Sequence, residues 1–150
     1  MNSAEPEPEP ERYVFPFAAD RAVIRWFLKG RKEFTVVDAN HETGDVSASL
    51  FLEDHKLFLL GIGIAHYDPA TGSLLALLPS GRAMHGARRV FEFISRELGA
   101  GIKFTREDNG NWFYGGQLLK PGHPFVVAGP LGVLAYRTQV ACCNVYNSNK

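Results

Sequence analysis

An α+β domain, with a mixed but mostly antiparallel central sheet and helices on both faces, is the architecture this sequence predicts. Three observations carry that expectation. A segment of helical period follows the leader, a series of apolar runs broken by short turn signals comes next, and a longer amphipathic segment then interrupts a further set of strand-like runs. The length of 150 residues suits one domain with a substantial core, and 45% hydrophobic with 21% charged residues is an ordinary globular composition.

The elements are justified in order. Residues 1–12, "MNSAEPEPEPER", alternate glutamate with proline and are expected to form a disordered, extended tail; residues 13–150 are expected to form the single domain. Asp20 as N-cap, the run "RAVIRWFLK" and Gly30 as terminator define a first helix, whose buried stripe is Val23, Phe27 and either Ile24 or Trp26. "EFTVVDA" (33–39) reads as a strand, "NHETG" as a turn, and "DVSASLFLE" (45–53) alternates apolar and polar residues as a half-buried strand. "HKLFLLGIGIAHY" (55–67) is apolar on both faces and reads as one central strand. "DPATG" (68–72) carries turn chemistry, and "SLLALLP" (73–79) is the next strand.

Residues 81–98 form the clearest helix, with Ala83, Ala87, Val90, Phe91, Ile94 and Leu98 on one stripe and Arg82, Arg89, Glu92 and Arg96 away from it. Gly99 and Gly101 end it. "IKFTRE" (102–107) alternates as a strand, "DNGN" (108–111) breaks it, and "NWFYGGQLLK" suits a short helix weakened by Gly115 and Gly116 or an irregular strand. "PFVVAG" (124–129) and "LGVLAYRTQVACCNVY" (131–146) read as closing strands.

Composition narrows the function classes. Sixteen basic residues balance sixteen acidic ones, which leaves no broad positive field of the kind that non-specific nucleic-acid binding needs. The five histidines are scattered and the two cysteines, Cys142 and Cys143, are adjacent, so no metal site is expected. Neighbouring cysteines rarely bridge without strain; free thiols point to a reducing, cytoplasmic setting. No apolar run reaches membrane-spanning length, and no Gly-x-Ser-x-Gly elbow is present.

The stretch "GSLLALLPSGRAMHGARRVFEFISRELGA", with "GIKFTREDN" and "LLKPGHPFVV" after it, resembles the GNAT superfamily of acetyl-coenzyme-A-dependent N-acyltransferases over roughly residues 45–136. A strand running into a glycine-flanked helix start suits a diphosphate, since unpaired N–H groups and the helix dipole face the anion. The resemblance implies acetyl-CoA as cosubstrate. It would be held by the amides of Leu77 and Leu78 along its pantetheine arm, and by Arg82, Ala83, Met84, His85, Gly86 and Ala87 at its diphosphate. Arg88 or Arg89 would assist, with Asn109 nearby. It also implies transfer of an acyl group to an amine of a small molecule or protein, with Tyr114 as candidate acid and Glu107, Asp108 or His66 as base. The pattern departs from the family: Arg82 and Gly86 are spaced one residue too widely, and Leu118 stands where the tyrosine is usual.

Beside this stands a plainer reading: Ser80 caps the helix and Gly86 allows close helix–sheet packing. The chain is then a non-catalytic binding protein of phage or mobile-element type that engages a host protein through its sheet or acidic tail. Trp112, Phe113 and Tyr114 line an acceptor pocket in one reading and fill the core in the other. Asn109-Gly110 is also a frequent hairpin pair. The two readings therefore part at residues 108–120, where a helix favours the acyltransferase and a hairpin the binding protein. Neither nucleic acid nor membrane is an expected partner, and a homodimer is left open.

Overall fold

The computed structural model describes residues 15–33, 50–120 and 122–148, with the side chains of 140–148 set aside. The leader, residues 34–39 of the expected strand and all of 45–49 fall outside the described residues, as do the side chains of Cys142 and Cys143. Helix α1 (Ala18–Leu28) is followed by strands β1 (Leu50–Glu53), β2 (Lys56–Leu59), β3 (Ile62–Tyr67) and β4 (Leu74–Ala76). Helix α2 (Arg82–Glu97), strands β5 (Phe104–Arg106), β6 (Trp112–Tyr114), β7 (Gln117–Leu118) and β8 (Phe125–Ala128), and helix α3 (Pro130–Ser148) complete the order.

The α+β class holds, built on two sheets: a five-stranded one in the order β1-β2-β3-β4-β8 and a three-stranded one, β5-β6-β7. Every strand pair described is antiparallel, so the mixed character expected of the sheet is not found among the described residues. Nor do α1 and α2 take opposite faces. Both pack against β2 and against each other, which places them on the same side of the large sheet. Leu50, Leu52, Leu57, Leu59, Ala76 and Val127 lie in the core that these helices share.

Both helix ends follow the chemistry of their residues. α1 begins one turn earlier than expected: Asp20 sits at its third position, buried, and its carboxylate accepts the Phe17 N–H at 3.1 Å. Gly30 (φ 93°) then closes α1 in a Schellman motif, with Arg31 N–H to Trp26 O at 3.0 Å and Gly30 N–H to Phe27 O at 3.1 Å. Gly99 (φ 84°) does the same for α2, with Ala100 N–H to Ser95 O at 2.9 Å and Gly99 N–H to Arg96 O at 3.0 Å. Of the two alternatives for α1's stripe, Ile24 is buried and Trp26 is half-buried under Lys29 and Arg31.

Two expected elements are replaced. The apolar run 55–67 is a hairpin, not one strand: Leu59 faces Ile62, and Leu60 (φ 51°) and Gly61 (φ 80°) make the two-residue turn. A leucine at positive φ carries none of the usual turn signal, so the sequence hid the reversal. Residues 130–148 are helical, not strand. Pro130 suits a first helical position, and the run is longer than an ordinary strand and lacks period-two alternation. α3 leans on the end of α1 through buried Val133 and through Arg137, whose Nε donates to Leu28 O at 3.0 Å. Among the described residues no helix is long and apolar enough to cross a membrane.

The "DPATG" turn behaves as expected. Asp68 accepts from Ala70 N–H and the Thr71 hydroxyl, each at 3.0 Å, while Gly72 (φ 78°) donates to Asp68 O at 2.7 Å.

Candidate binding site

β4 runs into α2 through a strand-to-helix corner at residues 77–81. Gly81, at φ 71°, is the N-cap of α2 and makes no side-chain cap, so Ser80 lies one residue outside the capping position. In the opening turn Gly81, Arg82 and His85 are exposed, Met84 is half-buried, and Ala83 and Ala87 are in the core. Gly86 serves packing: a Cβ there would stand 3.3 Å from Leu59 Cδ2 and 3.7 Å from Phe15 Cε1. Its missing side chain lets α2 approach β2 closely.

The backbone of β4 is engaged on both sides. It pairs with β3 and β8, and beyond its end the Leu77 N–H donates to Ile64 O at 3.0 Å. That amide, expected to meet a pantetheine arm, is therefore satisfied within the sheet; Leu78 is half-buried against the core.

Residues 104–114 form a hairpin. Arg106 faces Trp112, Glu107 N–H donates to Asn111 O at 2.9 Å, and Gly110 (φ 90°) donates to Glu107 O at 2.8 Å. Asn109 turns inward on its own loop, its Oδ1 accepting the Asn111 N–H at 3.0 Å. Gly115 and Gly116 (φ 55° and 86°) make a second two-residue turn into β7. The helical alternative for "NWFYGG" is thus not adopted, because Gly110 in the first turn and the Gly115-Gly116 pair in the second supply the positive φ that a tight reversal needs.

Tyr114 is wholly buried. Its hydroxyl donates to Val127 O at 3.1 Å, and burial pushes its pKa up, the nearby Glu92 charge adding to the rise while Ser95 opposes it. The register of β4 against β8 slips beside Val127, and the phenol takes up its carbonyl. Tyr114 is a core residue that ties the small sheet to β8, away from any solvent-facing acid role. Glu107 is exposed on the hairpin turn, and His66 is exposed on β3 opposite Lys56 and Leu75. No hydrogen bond or ion pair joins any two of Tyr114, Glu107 and His66 among the described residues. Nor do three or more metal-ligating side chains converge there.

What the fold does assemble is a cationic and aromatic platform. The β5–β6 hairpin lies along α2, held by Phe104 N–H to Glu92 Oε2 at 3.3 Å and by the Phe91–Phe104 ring contact at 6.1 Å. This brings the Arg88 guanidinium 4.2 Å and the Arg106 guanidinium 5.6 Å from the centre of the Trp112 ring. Arg88 also meets His85 Nδ1 at 3.3 Å, and its Nε has no hydrogen-bond partner. No carboxylate among the described residues forms an ion pair with Arg82, Arg88, Arg89 or Arg106. Arg88 was legible as an alternative anion ligand and Trp112 as a pocket or core aromatic; Trp112 is half-buried against the core, and its meeting with Arg88 required knowing that the hairpin folds back onto the helix.

Two depressions flank this region. An open one of about 490 Å³ is formed by Arg106, Glu107, Asp108 and Asn109. A smaller one of about 250 Å³, lined by Ser95, Leu98, Ile102, Gln117, Val126 and Gly132 among others, separates α2, β8 and α3. Its polar groups are engaged: Ser95 Oγ accepts Ile102 N–H at 2.7 Å, and Gln117 is bonded to Val126. Comparison of the chain with protein-family models, curated proteins and solved structures finds no match.

Proposed function

We propose that this chain is a non-catalytic protein-binding domain. It takes an acidic segment of a partner on the flank of α2, beside Trp112. The observation that carries the reading is that the guanidinium groups of Arg88 and Arg106 both lie over the Trp112 ring, with no ion pair to a carboxylate among the described residues. A guanidinium over an aromatic ring keeps N–H donors for a carboxylate, and its planar donor geometry suits paired carboxylate oxygens. The chain's zero net charge makes the effect local, which suits a protein segment better than a long polyanion. The hairpin at 104–114 and the burial of Tyr114 support binding over chemistry.

The test is titration of the chain with fluorescent polyglutamate peptide. Salt-dependent binding that falls at least about tenfold in Arg88→Glu/Arg106→Glu supports the reading; equal binding by both chains removes it.

A second reading keeps one specific support. The opening turn of α2 faces solvent, with Arg82 exposed and no atom within 4 Å of where a Gly81 Cβ would stand. That turn suits the diphosphate of acetyl-CoA, in an acyltransferase of GNAT type acting on an amine. Calorimetry with acetyl-CoA decides it: binding lost in Arg82→Glu favours the enzyme, and no heat in the parent chain rejects it.

A further inference from the structure

We infer that the partner's acidic segment is itself an α-helix with carboxylates seven residues apart, lying lengthwise along α2. This identification rests on the acidic-segment reading above and adds the segment's conformation and register.

Sequence spacing supplies the first argument. Arg82, Arg89 and Arg96 recur every seven residues, and seven residues turn an α-helix by two turns less about 20°. The three therefore stand nearly on one line of α2, about 10.5 Å apart. That line runs between two walls. On one side α1 approaches through Arg25, whose Nε donates to Glu97 Oε1 at 2.9 Å and whose guanidinium lies 5.3 Å from the centre of the Phe93 ring. On the other stands the β5–β6 hairpin, tied to α2 where Glu92 Oε2 accepts the Phe104 N–H at 3.3 Å. Between them Arg82, His85 and Arg96 are exposed and Arg89 is half-buried. Arg89 gives its Nε to the Phe15 carbonyl at 3.3 Å, and Arg96 lies 5.9 Å from the Phe93 ring centre.

Charge supplies the second. None of the three arginines forms an ion pair with a carboxylate among the described residues. Glu92 stands within one turn of Arg88, Arg89 and Arg96, yet it is ion-paired with none of them. The row keeps its positive charge for a partner, and Glu92 repels an acid that slips by one turn from Arg89.

Rise per residue supplies the third. A partner helix climbs as fast as α2, so acids seven apart meet all three arginines. Same-face residues of a strand recur about every 6.7 Å, so an acid placed on one arginine misses the next by about 3 Å. A polyproline turn of about 9.3 Å falls short by about 2.4 Å over the whole row.

The experiment follows the arginine Nε–H signals of the full ¹⁵N-labelled chain at low salt as peptides are added. The heptad peptide is an alanine–glutamine helix of about eighteen residues with three glutamates seven apart. An isomer spreads the same three glutamates around the helix, and a third peptide carries them at every third position of a proline-rich segment. The Arg82, Arg89 and Arg96 signals should shift together, and the heptad peptide should bind at least about fivefold more tightly than either of the others. Charge exchange then fixes the register. A heptad peptide with lysine for its first glutamate should restore binding to only one of Arg82→Glu and Arg96→Glu, and lysine for its last glutamate only to the other. Equal binding of the three peptides overturns the inference, as does restoration of both variants by either lysine peptide. Tighter binding of a DNA duplex than of the heptad peptide at the same salt also overturns it, since the row would then be a phosphate ligand. If polyglutamate binds while the three peptides do not differ, the helical register falls and the acidic-segment reading stands. If polyglutamate does not bind, both fall.

Discussion

The two sheets are held in different ways. In the five-stranded sheet β1 to β4 form a meander, with two-residue turns between β1, β2 and β3 and the 68–73 loop before β4. β8 is added from far along the chain, and most of the sheet's order follows from contacts between sequence neighbours beneath α1 and α2. The three-stranded sheet has strands of only three, three and two residues and gains its place from a few long-range side-chain contacts. Tyr114 bonds Val127, Gln117 spans Val126, and Phe104 joins Phe91 and Phe125 in one aromatic cluster with centroid separations of 5.4 to 6.2 Å among those three rings. One sheet makes the domain stable. The other brings a tryptophan to a helix flank rich in arginine.

Substitutions should separate these roles. The largest loss is expected from Phe91→Ala, which empties the centre of the aromatic cluster and the base of both sheets: about 3–5 kcal/mol by urea denaturation. A cost below about 1 kcal/mol would mean the sheets do not share a core there. Tyr114→Phe keeps the ring and leaves Val127 O unpaired, so about 1–2 kcal/mol of stability should go while polyglutamate binding is unchanged. Lost binding without lost stability would return Tyr114 to a functional role.

Alkaline pH gives a smaller, signed effect. Burial and the Glu97 carboxylate, whose Oε1 accepts the phenol at 3.4 Å, push Tyr136 up to about 12 from 10.0. The folded protein then keeps this proton where the unfolded chain releases it. The associated stability is intact below pH 10 and drains as the pH rises toward 12. Tyr136→Phe should flatten that part of the stability–pH curve, and an unaltered slope would deny the coupling. Smallest of all, Arg88→Glu/Arg106→Glu should leave stability within about 0.5 kcal/mol, because neither side chain is in the apolar core. A large destabilisation would make the platform structural.

Elements with local causes were legible in the sequence. The core stripe of α2, the stop at Gly99 and the Asp68 turn all follow from residues within one or two turns of each other. Reversals without their usual residues were not: Leu60 at positive φ hid a hairpin, and the apolar 131–146 run hid a helix behind β-forming valines. At the site, Arg82 with Arg88 or Arg89 was legible as a set of anion ligands on the opening turns of α2. Gly86 looked like a phosphate contact because a glycine says only that something comes close, and here it is Leu59 and Phe15. The pairing of Arg88 with Trp112 spans 24 residues of sequence, and no local pattern encodes it.

The Gln117 carboxamide, finally, donates to Val126 O at 2.8 Å and accepts from Val126 N–H at 3.2 Å. It imitates a ninth strand with one residue, and so β8 does not present a bare margin to other molecules. Rotation about the glutamine's own bonds opens this cover while the rest of the domain stays folded, and replacement by leucine removes it for good. On this border the Val126 N–H and C=O are covered by that one side chain, while the next carbonyl, of Val127, is held separately by the Tyr114 hydroxyl.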